Sequence, residues 1–323
     1  MKNQPKKKQN TASKKKSGSQ QFKHTLKVLW ITFFSGLFIV FLFIFMIAQG
    51  WIGFMPSFEE LENPRSNLAS EIYSFDGVLM GKYYFENRSN IKYEDLPQNI
   101  IDALIATEDI RYYDHAGIDL KGTIAGFVST IRGKQRGAST ITQQLAKNLF
   151  PRGQDLSTPE IILRKLKEWV VAVRLEKSYS KNEILAMYLN TVPFGAQAFG
   201  LKSAAKTYFD KNPPELNPEE SAMLVGMLRA PTFYSPVRNP ERAKHRREIV
   251  LHQMEKYDFI KEATYDSLRQ LPLDMSRYKK TDHNQGMATY FREQLRMKLH
   301  DWCKKHKKPD GEPYNLYKDG LKI

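Results

Sequence analysis

The sequence predicts a mainly α protein, in which one transmembrane helix and a small β hairpin precede a helical domain. Three observations support this fold class. An uncharged apolar segment covers residues 28–48, an alternating pattern with an Asp-Gly turn lies near residue 76, and helical patterning begins at Pro97. The chain has 323 residues, of which 41% are hydrophobic. That length accommodates one full-sized domain with additional segments.

The transmembrane helix is predicted from the segment Val28–Ala48, which runs for 21 residues without a charge. At about 1.5 Å rise per residue, this length spans a bilayer core of about 30 Å. It exceeds the apolar core of about 7–15 residues that is typical of a signal peptide. Trp30 lies near the start of the segment and Trp51 just after its end, where interfacial anchors are expected. We therefore assign residues 28–51 to a transmembrane helix.

Residues 1–27 contain nine lysines and no acidic residue, which predicts a disordered, basic cytoplasmic tail. Glu59, Glu60 and Glu62 follow the apolar segment. Because positive charge stays on the cytoplasmic side, the N-terminus is expected in the cytoplasm and the rest of the chain outside the inner membrane. The tail is either a topology signal alone or a contact for anionic lipid or a cytoplasmic partner.

The composition argues against two classes of function. Nine of the fifteen net positive charges lie in the tail, so the folded part is mildly basic and lacks the dense basic face of a nucleic-acid binder. Cys303 is the single cysteine, and the seven histidines show no metal-ligand spacing. The chain therefore has no internal disulfide and no Cys/His metal cluster in its sequence pattern.

Local signals predict where the elements begin. Residues 71–75 and 78–80 flank Asp76-Gly77, which predicts a hairpin. Helix starts are indicated at Pro97 and at three capping-box patterns, Thr140–Gln143, Ser157–Glu160 and Ser180–Glu183. Helical patterning also covers residues 241–271. The apolar, strand-like end at residues 321–323 is interpreted as a cut inside a continuing domain.

The first candidate site is Glu108. In the helix that starts near Pro97, Leu104 marks the buried face, and Glu108, Tyr112 and His115 follow at spacings of four, four and three. Residues at these spacings share one helix face, so Glu108 is expected to be partly desolvated, which suits a general acid or base. The alternative is a structural glutamate bonded to His115 or to the backbone.

The second candidate site is the stretch 137–148, where a glycine loop enters a helix start rich in hydroxyls and amides. Free N–H groups and the helix dipole make such an end a good anion site. Lys147 follows Gln143 and Gln144 at helical spacing, so amide and ammonium groups converge. The P-loop spacing is missing. The alternative is an ordinary polar helix with a capped start.

Two further stretches carry weaker signals from spacing alone. Arg164 and Glu168 are four residues apart on one helix, which favours a surface ion pair that contributes at most about 1 kcal/mol. The stretch 181–190 has the Ile, Leu and Tyr spacing of a packed helix, so it is interpreted as core.

Taken in order, these four stretches resemble the family 51 glycosyltransferases. The first motif, EDxxFxxHxG, is matched from Glu108 to Gly117, with Tyr112 in place of the usual Phe. GxSTITQQ is matched at every specified position by residues 137–144, and RKxxE by residues 164–168. KxEILExYLN is matched by residues 181–190, except that Ala186 stands where Glu is common. The resemblance covers roughly residues 65–250.

The resemblance implies a lysozyme-like glycosyltransferase domain with a membrane-associated lobe, which polymerises lipid II and releases undecaprenyl diphosphate. Glu108 would be the general base that takes the proton from the 4-hydroxyl of the acceptor sugar. Glu168, the second catalytic residue, would lie on the diphosphate side, where it helps to place the donor or a metal. Lys147 and Arg164 would stabilise the leaving anion. The remaining substrate-binding residues would be Asp109, His115, Ser139, Thr140, Gln143, Gln144 and Lys165.

The resemblance also implies cofactors and partners. Mg²⁺ or another divalent cation could share the stabilisation of the diphosphate, although no protein ligand to a metal is assigned. The expected partners are lipid II, the growing glycan strand, the inner membrane and other cell-wall assembly proteins, but no nucleic acid. The loop of residues 132–136 is expected to close over the donor.

The predicted domain organisation is that of the N-terminal part of a class A penicillin-binding protein. Residues 1–27 form the tail, 28–51 the transmembrane helix, 52–250 the glycosyltransferase domain and 251–323 a linker to an absent transpeptidase domain. Two alternatives remain: a lysozyme-like peptidoglycan hydrolase and a non-catalytic membrane scaffold for cell-wall assembly.

Overall fold

A computed structural model describes residues 12–52, 70–83, 91–132, 139–149, 157–279, 288–308, 311, 313–316 and 319–323. The chain divides into two compact units, Met1–Met55 and Pro56–Ile323. Helices dominate the described residues of both units, which confirms the prediction of a mainly α protein.

The described residues of the first unit form one helix, α1 (Ala12–Ala48). Its segment Phe22–Ala48 is long and apolar enough to cross a membrane. Residues 12–27 are helical in the structure, whereas their composition predicted a disordered tail. The physical reason is that Lys and Gln are good helix formers, and an existing helix is extended at less cost than a new one is nucleated.

The second unit begins with the predicted hairpin, β1 (Ser70–Tyr73) and β2 (Leu79–Tyr83), which pair antiparallel. The turn is closed where the Ser74 N–H donates to the Val78 carbonyl oxygen. Gly77 has φ +81°, a conformation that glycine adopts without strain. The Asp-Gly turn is therefore confirmed.

A third chain segment, residues 321–323, lies along the free edge of β1. The Glu71 N–H donates to the Leu321 oxygen at 2.8 Å and the Tyr73 N–H to the Ile323 oxygen at 2.7 Å. Beneath them, Ile72, Cys303 and Leu316 form a small core. The hairpin, which we assigned to residues 52–250, thus packs against segments that we assigned to the linker.

The helical part of the second unit contains ten helices among its described residues: α2 (Gln98–Glu108), α3 (Leu120–Ile131), α4 (Ile141–Leu149), α5 (Thr158–Ser178), α6 (Lys181–Thr191), α7 (Leu201–Phe209), α8 (Pro218–Met227), α9 (Pro240–Lys256), α10 (Glu262–Gln270) and α11 (Thr289–Lys305). Short 3-10 turns lie at Tyr93–Asp95, Tyr112–Asp114 and Pro213–Glu215.

The starts of these helices follow the predicted signals. Pro97 precedes α2, and complete capping boxes begin α5 at Ser157 and α6 at Ser180. At α4 the box is half formed. The Gln143 N–H donates to Thr140 Oγ1 at 3.1 Å, but the Gln143 side chain donates to the Gly117 oxygen instead of returning to the cap. The Gln143 side chain thus bonds to the distant Gly117 and not to the start of its own helix.

Two groups of helices form the body of the domain. Helix α2 packs against α8 and α9, and α4 packs against α5 and α6. Their contacts are made by fully buried apolar side chains, among them Leu104, Leu145, Val171, Leu224 and Val250. Helix α9 passes through residue 250, so the domain boundary that we placed there falls inside a packed helix. The candidate site lies where the two groups meet.

Candidate active site

A cleft of about 1580 Å³ runs between the two helix groups of the second unit. Its walls come from the end of α2, from α3 and α4, from the first half of α5, from α9 and from the loops around residues 193 and 230. Ten of the predicted site residues line it: Glu108, Asp109, Ser139, Thr140, Gln143, Gln144, Lys147, Arg164, Lys165 and Glu168. Since these residues come from distant parts of the sequence, the fold assembles three of the four motifs in one cleft.

Glu108 is the last residue of α2 and is half-buried. Its Oε2 accepts a hydrogen bond from Gln144 Nε2 at 2.8 Å, and Gln144 Oε1 accepts one from the Tyr188 hydroxyl at 3.0 Å. The alternative of a Glu108–His115 bond is wrong, because His115 bonds to Asp109. The carboxylate is thus held on one side and faces the cleft.

The helical spacing that we used for Tyr112 and His115 does not apply. Helix α2 ends at Glu108, and Tyr112 begins a separate 3-10 turn. Asp109 leaves the helical conformation with φ −160° and ψ 73°. This change directs its carboxylate to the start of α4, where Oδ2 accepts from the Ile141 N–H at 3.0 Å. The backbone therefore departs from helix because a tertiary bond satisfies Asp109.

Asp109 and His115 form a buried pair at the base of the cleft. His115 Nε2 lies 3.1 Å from both Asp109 carboxylate oxygens, and the Gly117 N–H donates to His115 Nδ1 at 3.2 Å. Because Nδ1 is an acceptor, Nε2 carries the hydrogen that is donated to Asp109. The pair joins the first motif to the start of α4. His115 does not line the cleft and braces Asp109, and its role in binding substrate remains a prediction.

Gly117 connects the same two motifs through its backbone. Its carbonyl oxygen accepts from Thr140 Oγ1 at 2.7 Å and from Gln143 Nε2 at 3.4 Å. Its φ is +86°, and a Cβ added here would lie 2.8 Å from the Ala172 oxygen. Only glycine fits this position without displacing backbone. Thr140 and Gln143 are both buried, so their polar groups hold the wall of the cleft.

The third motif forms a cationic group with one carboxylate. Glu168 is only 4% exposed, with Lys165 Nζ at 3.0 Å and Arg164 Nε at 3.8 Å. Lys165 Nζ also donates to Ser139 Oγ at 2.9 Å. The prediction of a surface ion pair is therefore wrong, because this half of α5 faces the cleft. Lys147 is exposed and lines the same cleft.

Arg164 carries a buried donor, Nε, which lies 3.8 Å from Glu168 Oε1, beyond hydrogen-bond distance. Its Nε has no hydrogen-bond partner within the described part of the chain. Buried donors are rarely left unpaired in folded proteins, and a bound anion is one group that satisfies them. Together with Lys147 and Lys165, this arginine gives the cleft an anion-binding character.

The fourth motif contacts the first motif and holds it in place. Lys181 Nζ donates to the His115 oxygen at 2.6 Å, pairs with Glu176 at 2.8 Å and lies 4.4 Å from the centroid of the Tyr112 ring. The Tyr112 hydroxyl in turn donates to the Lys181 oxygen at 2.7 Å. Burial raises the pKa of Tyr112, so the phenol stays a neutral donor. The interpretation of residues 181–190 as core is confirmed, because Ile184, Leu185, Tyr188 and Leu189 are buried.

Sequence reasoning missed a basic residue close to Glu108. Arg246 of α9 lines the cleft and donates from Nε to the Gly226 oxygen at 3.3 Å. Burial lowers the pKa of Arg246, and the neighbouring charge of Arg229 acts in the same direction, whereas the charge of Glu108 opposes it. Nothing in its spacing distinguishes Arg246 from the other basic residues of α9. Of the predicted loop 132–136, residues 133–136 lie outside the described part.

Comparison with known proteins identifies the family of this chain. The sequence model of the Transglycosylase family matches residues 76–255. Penicillin-binding protein 1A of Neisseria flavescens is 42% identical over 202 residues, which are 62% of this chain and 25% of that protein. The protein of the same name from Vibrio cholerae is 38% identical over 221 residues, 68% of this chain and 26% of that protein.

Among solved structures, the 2.6 Å crystal structure of penicillin-binding protein 1A from Haemophilus influenzae aligns with a TM-score of 0.44 and 24% identity. The alignment covers 78% of this chain and 25% of that one. The chain thus spans about a quarter of the length of these relatives.

Proposed function

This chain belongs to the transglycosylase family, and from that membership we propose that it is a peptidoglycan glycosyltransferase, which polymerises lipid II into glycan strands and releases undecaprenyl diphosphate. One observation carries the proposal. A half-buried carboxylate, Glu108, shares a cleft with an anion-binding group of Lys147, Arg164 and Lys165. A sugar-transfer reaction with a diphosphate leaving group needs both a base and such a group.

In the proposed reaction, Glu108 accepts the proton of the acceptor sugar's 4-hydroxyl. The oxygen forms a bond to the anomeric carbon of the donor as the bond from that carbon to the diphosphate oxygen breaks. A carboxylate on one side of the sugar and stabilisation of the leaving group on the other is the arrangement of inverting sugar chemistry, with a hydroxyl in place of water. The bond from Gln144 holds the Glu108 carboxylate in place for this transfer.

On the leaving-group side, three cationic side chains can stabilise the negative charge that develops on the diphosphate. Lys165 is held between Glu168 and Ser139, while Arg164 offers an Nε that has no hydrogen-bond partner among the described residues, and Lys147 offers an exposed ammonium. Donors that are already oriented stabilise developing charge without a cost of reorganisation. We assign Glu168 the role of positioning these cations against the donor.

The described residues do not form a protein-held site for Mg²⁺. Among the described residues there is no group of three His, Cys, Asp or Glu side chains suited to a metal. Glu168, which we expected to help place one, already faces Lys165 and Arg164. Mg²⁺ usually combines one or two carboxylates with substrate phosphates. We propose that a divalent cation, where it contributes, is bound chiefly by the lipid diphosphate.

We further propose that α1 anchors the chain in the inner membrane, with the N-terminus in the cytoplasm and the cleft outside. The lysines ahead of the span support this orientation. Leu120 and Ile124 of α3 are 68% and 65% exposed beside the cleft, and Ile161 of α5 is 55% exposed. These apolar side chains support a membrane-associated lobe for a lipid-linked substrate. Cell-wall assembly proteins remain proposed partners, and residues 251–323 a proposed linker.

The test is incubation of the detergent-solubilised chain with fluorescent lipid II. The proposal predicts long glycan and the release of undecaprenyl diphosphate. One molecule of undecaprenyl diphosphate should be released for each glycosidic bond that is formed. Cleavage of preformed glycan without release of lipid diphosphate would instead establish the hydrolase. Binding of lipid II without either product would establish the non-catalytic scaffold.

A further inference from the structure

We infer that Tyr188 and Gln144 form a directional hydrogen-bond relay that positions Glu108, and that Glu108 Oε1 is the atom that takes the proton. The inference rests on the proposed function for its chemistry, but its geometry stands independently. Tyr188 does not line the cleft, so it is a positioning residue and not a catalytic one.

The direction of the relay follows from the chemistry of its three groups. An ionised carboxylate can only accept hydrogen bonds, so the Gln144 amide must present its NH₂ group to Glu108. The amide oxygen then faces Tyr188, whose hydroxyl must donate to it. The observed contacts have this order, from the Tyr188 hydroxyl to Gln144 Oε1 at 3.0 Å and from Gln144 Nε2 to Glu108 Oε2 at 2.8 Å.

Tyr188 is suited to remain the donor. It is 0% exposed in the middle of α6, and burial raises its pKa well above the ordinary value, with the charge of Glu108 acting in the same direction. The phenol therefore stays protonated wherever the protein is folded near neutral pH. A glutamine amide that is not oriented in this way can rotate by half a turn and present its oxygen to the carboxylate, which repels it.

The relay also distinguishes the two oxygens of Glu108. Oε2 is occupied by Gln144, whereas Oε1 makes no side-chain hydrogen bond to the described residues. When Glu108 accepts a proton on Oε1, Oε2 can continue to accept from Gln144. The relay thus holds the carboxylate in one orientation before and after the transfer, with Oε1 presented to the acceptor hydroxyl.

The perturbation is Tyr188→Phe, which removes one hydroxyl and keeps the ring that packs in the core. We expect kcat for lipid II polymerisation to fall roughly 10- to 100-fold, the factor for one misdirected hydrogen bond at a reacting group. KM should change less than about twofold, because Tyr188 does not touch the cleft. The matched control is Tyr208→Phe. Tyr208 is 1% exposed and its hydroxyl also donates, to the Phe194 oxygen at 2.9 Å, but it has no bond to Gln144.

A coupling experiment tests whether Tyr188 acts through Gln144. In a Gln144→Ala background, Tyr188→Phe should cause no further loss of kcat. Two losses that multiply would overturn the relay, as would a Tyr188→Phe variant with the kcat of wild type. Equal losses in Tyr188→Phe and Tyr208→Phe would assign the effect to general packing and would also overturn it.

A second measurement is independent of activity. In protein labelled with ¹⁵N-glutamine, the resonance that disappears in Gln144→Ala identifies the Gln144 side-chain amide. The relay predicts that Tyr188→Phe shifts this resonance and speeds its exchange with water, whereas Tyr208→Phe leaves it in place. An unmoved resonance in Tyr188→Phe overturns the relay. If wild type makes no glycan, the proposed function fails while this spectrum still decides the relay.

Discussion

Replacement of Gly117 by alanine tests whether the backbone at the end of the first motif holds the wall of the cleft. A positive φ of +86° costs a non-glycine residue about 1–2 kcal/mol. The new Cβ would also lie 2.8 Å from the Ala172 oxygen, so the loop must shift. A shift weakens the bonds that Thr140 and Gln143 donate to the Gly117 oxygen, each worth about 1 kcal/mol. Together these effects should lower the free energy of unfolding by about 3–4 kcal/mol.

The matched control for this prediction is Gly195→Ala. Gly195 has a similar φ of +78°, but its added Cβ would meet Pro231 and Tyr208 at 3.4 Å, close to ordinary contact. It should therefore cost only the conformational part, about 1–2 kcal/mol. Thermal unfolding of the detergent-solubilised chain, followed by tryptophan fluorescence, should show Gly117→Ala melting about 4–8 °C below Gly195→Ala. Equal melting temperatures would refute the argument from the Ala172 contact.

Three further outcomes are expected. Lys181→Met leaves the buried Glu176 carboxylate without its cation, and it should lower the free energy of unfolding in urea by about 3 kcal/mol. An unchanged urea midpoint would contradict the role of Lys181 in bracing the site. Burial raises the pKa of Asp102 despite its bond from Gln98, so the charged form is disfavoured in the folded state. The destabilisation that comes from burying the charged carboxylate is absent below the pKa of the unfolded state, near 3.8. It is complete above the pKa of the folded state. Asp102→Asn should therefore raise the unfolding midpoint at about pH 7 but not at about pH 3, and the reverse order would show that the sign is wrong. Lys147→Met should lower kcat for polymerisation by about 100-fold, because a donor to the leaving anion is lost. Lys202→Met, on the exposed side of α7, should leave kcat unchanged. Equal activity of the two variants would show that Lys147 is not part of the site.

Features with local causes could be predicted from the sequence. The apolar span, the Asp76-Gly77 turn and the caps at Ser157 and Ser180 each depend on a few neighbouring residues, and each is present in the structure. The motif residues that line the cleft could also be selected, because their chemistry is concentrated in short stretches. The roles of Glu108 and Glu168 in the reaction remain predictions.

Features that depend on distant partners could not be predicted in this way. Asp109 breaks the helical pattern because it bonds to the start of α4, 32 residues later, and Glu168 is buried because α5 faces the cleft. The pairing of β1 with residues 321–323 and the position of Arg246 beside the cleft have the same origin. In each case a tertiary contact decides among states that the local pattern leaves nearly equal in energy.

The most direct test of the central claim is polymerisation of fluorescent lipid II by wild type, by Glu108→Gln and by Glu183→Gln. Glu183 is an exposed capping residue of α6, and glutamine caps a helix nearly as well. We predict long glycan from wild type and from Glu183→Gln, and none from Glu108→Gln, although this variant still binds lipid II. Glycan made by Glu108→Gln at the rate of wild type would contradict the assignment of Glu108 as the base and, with it, the proposed mechanism.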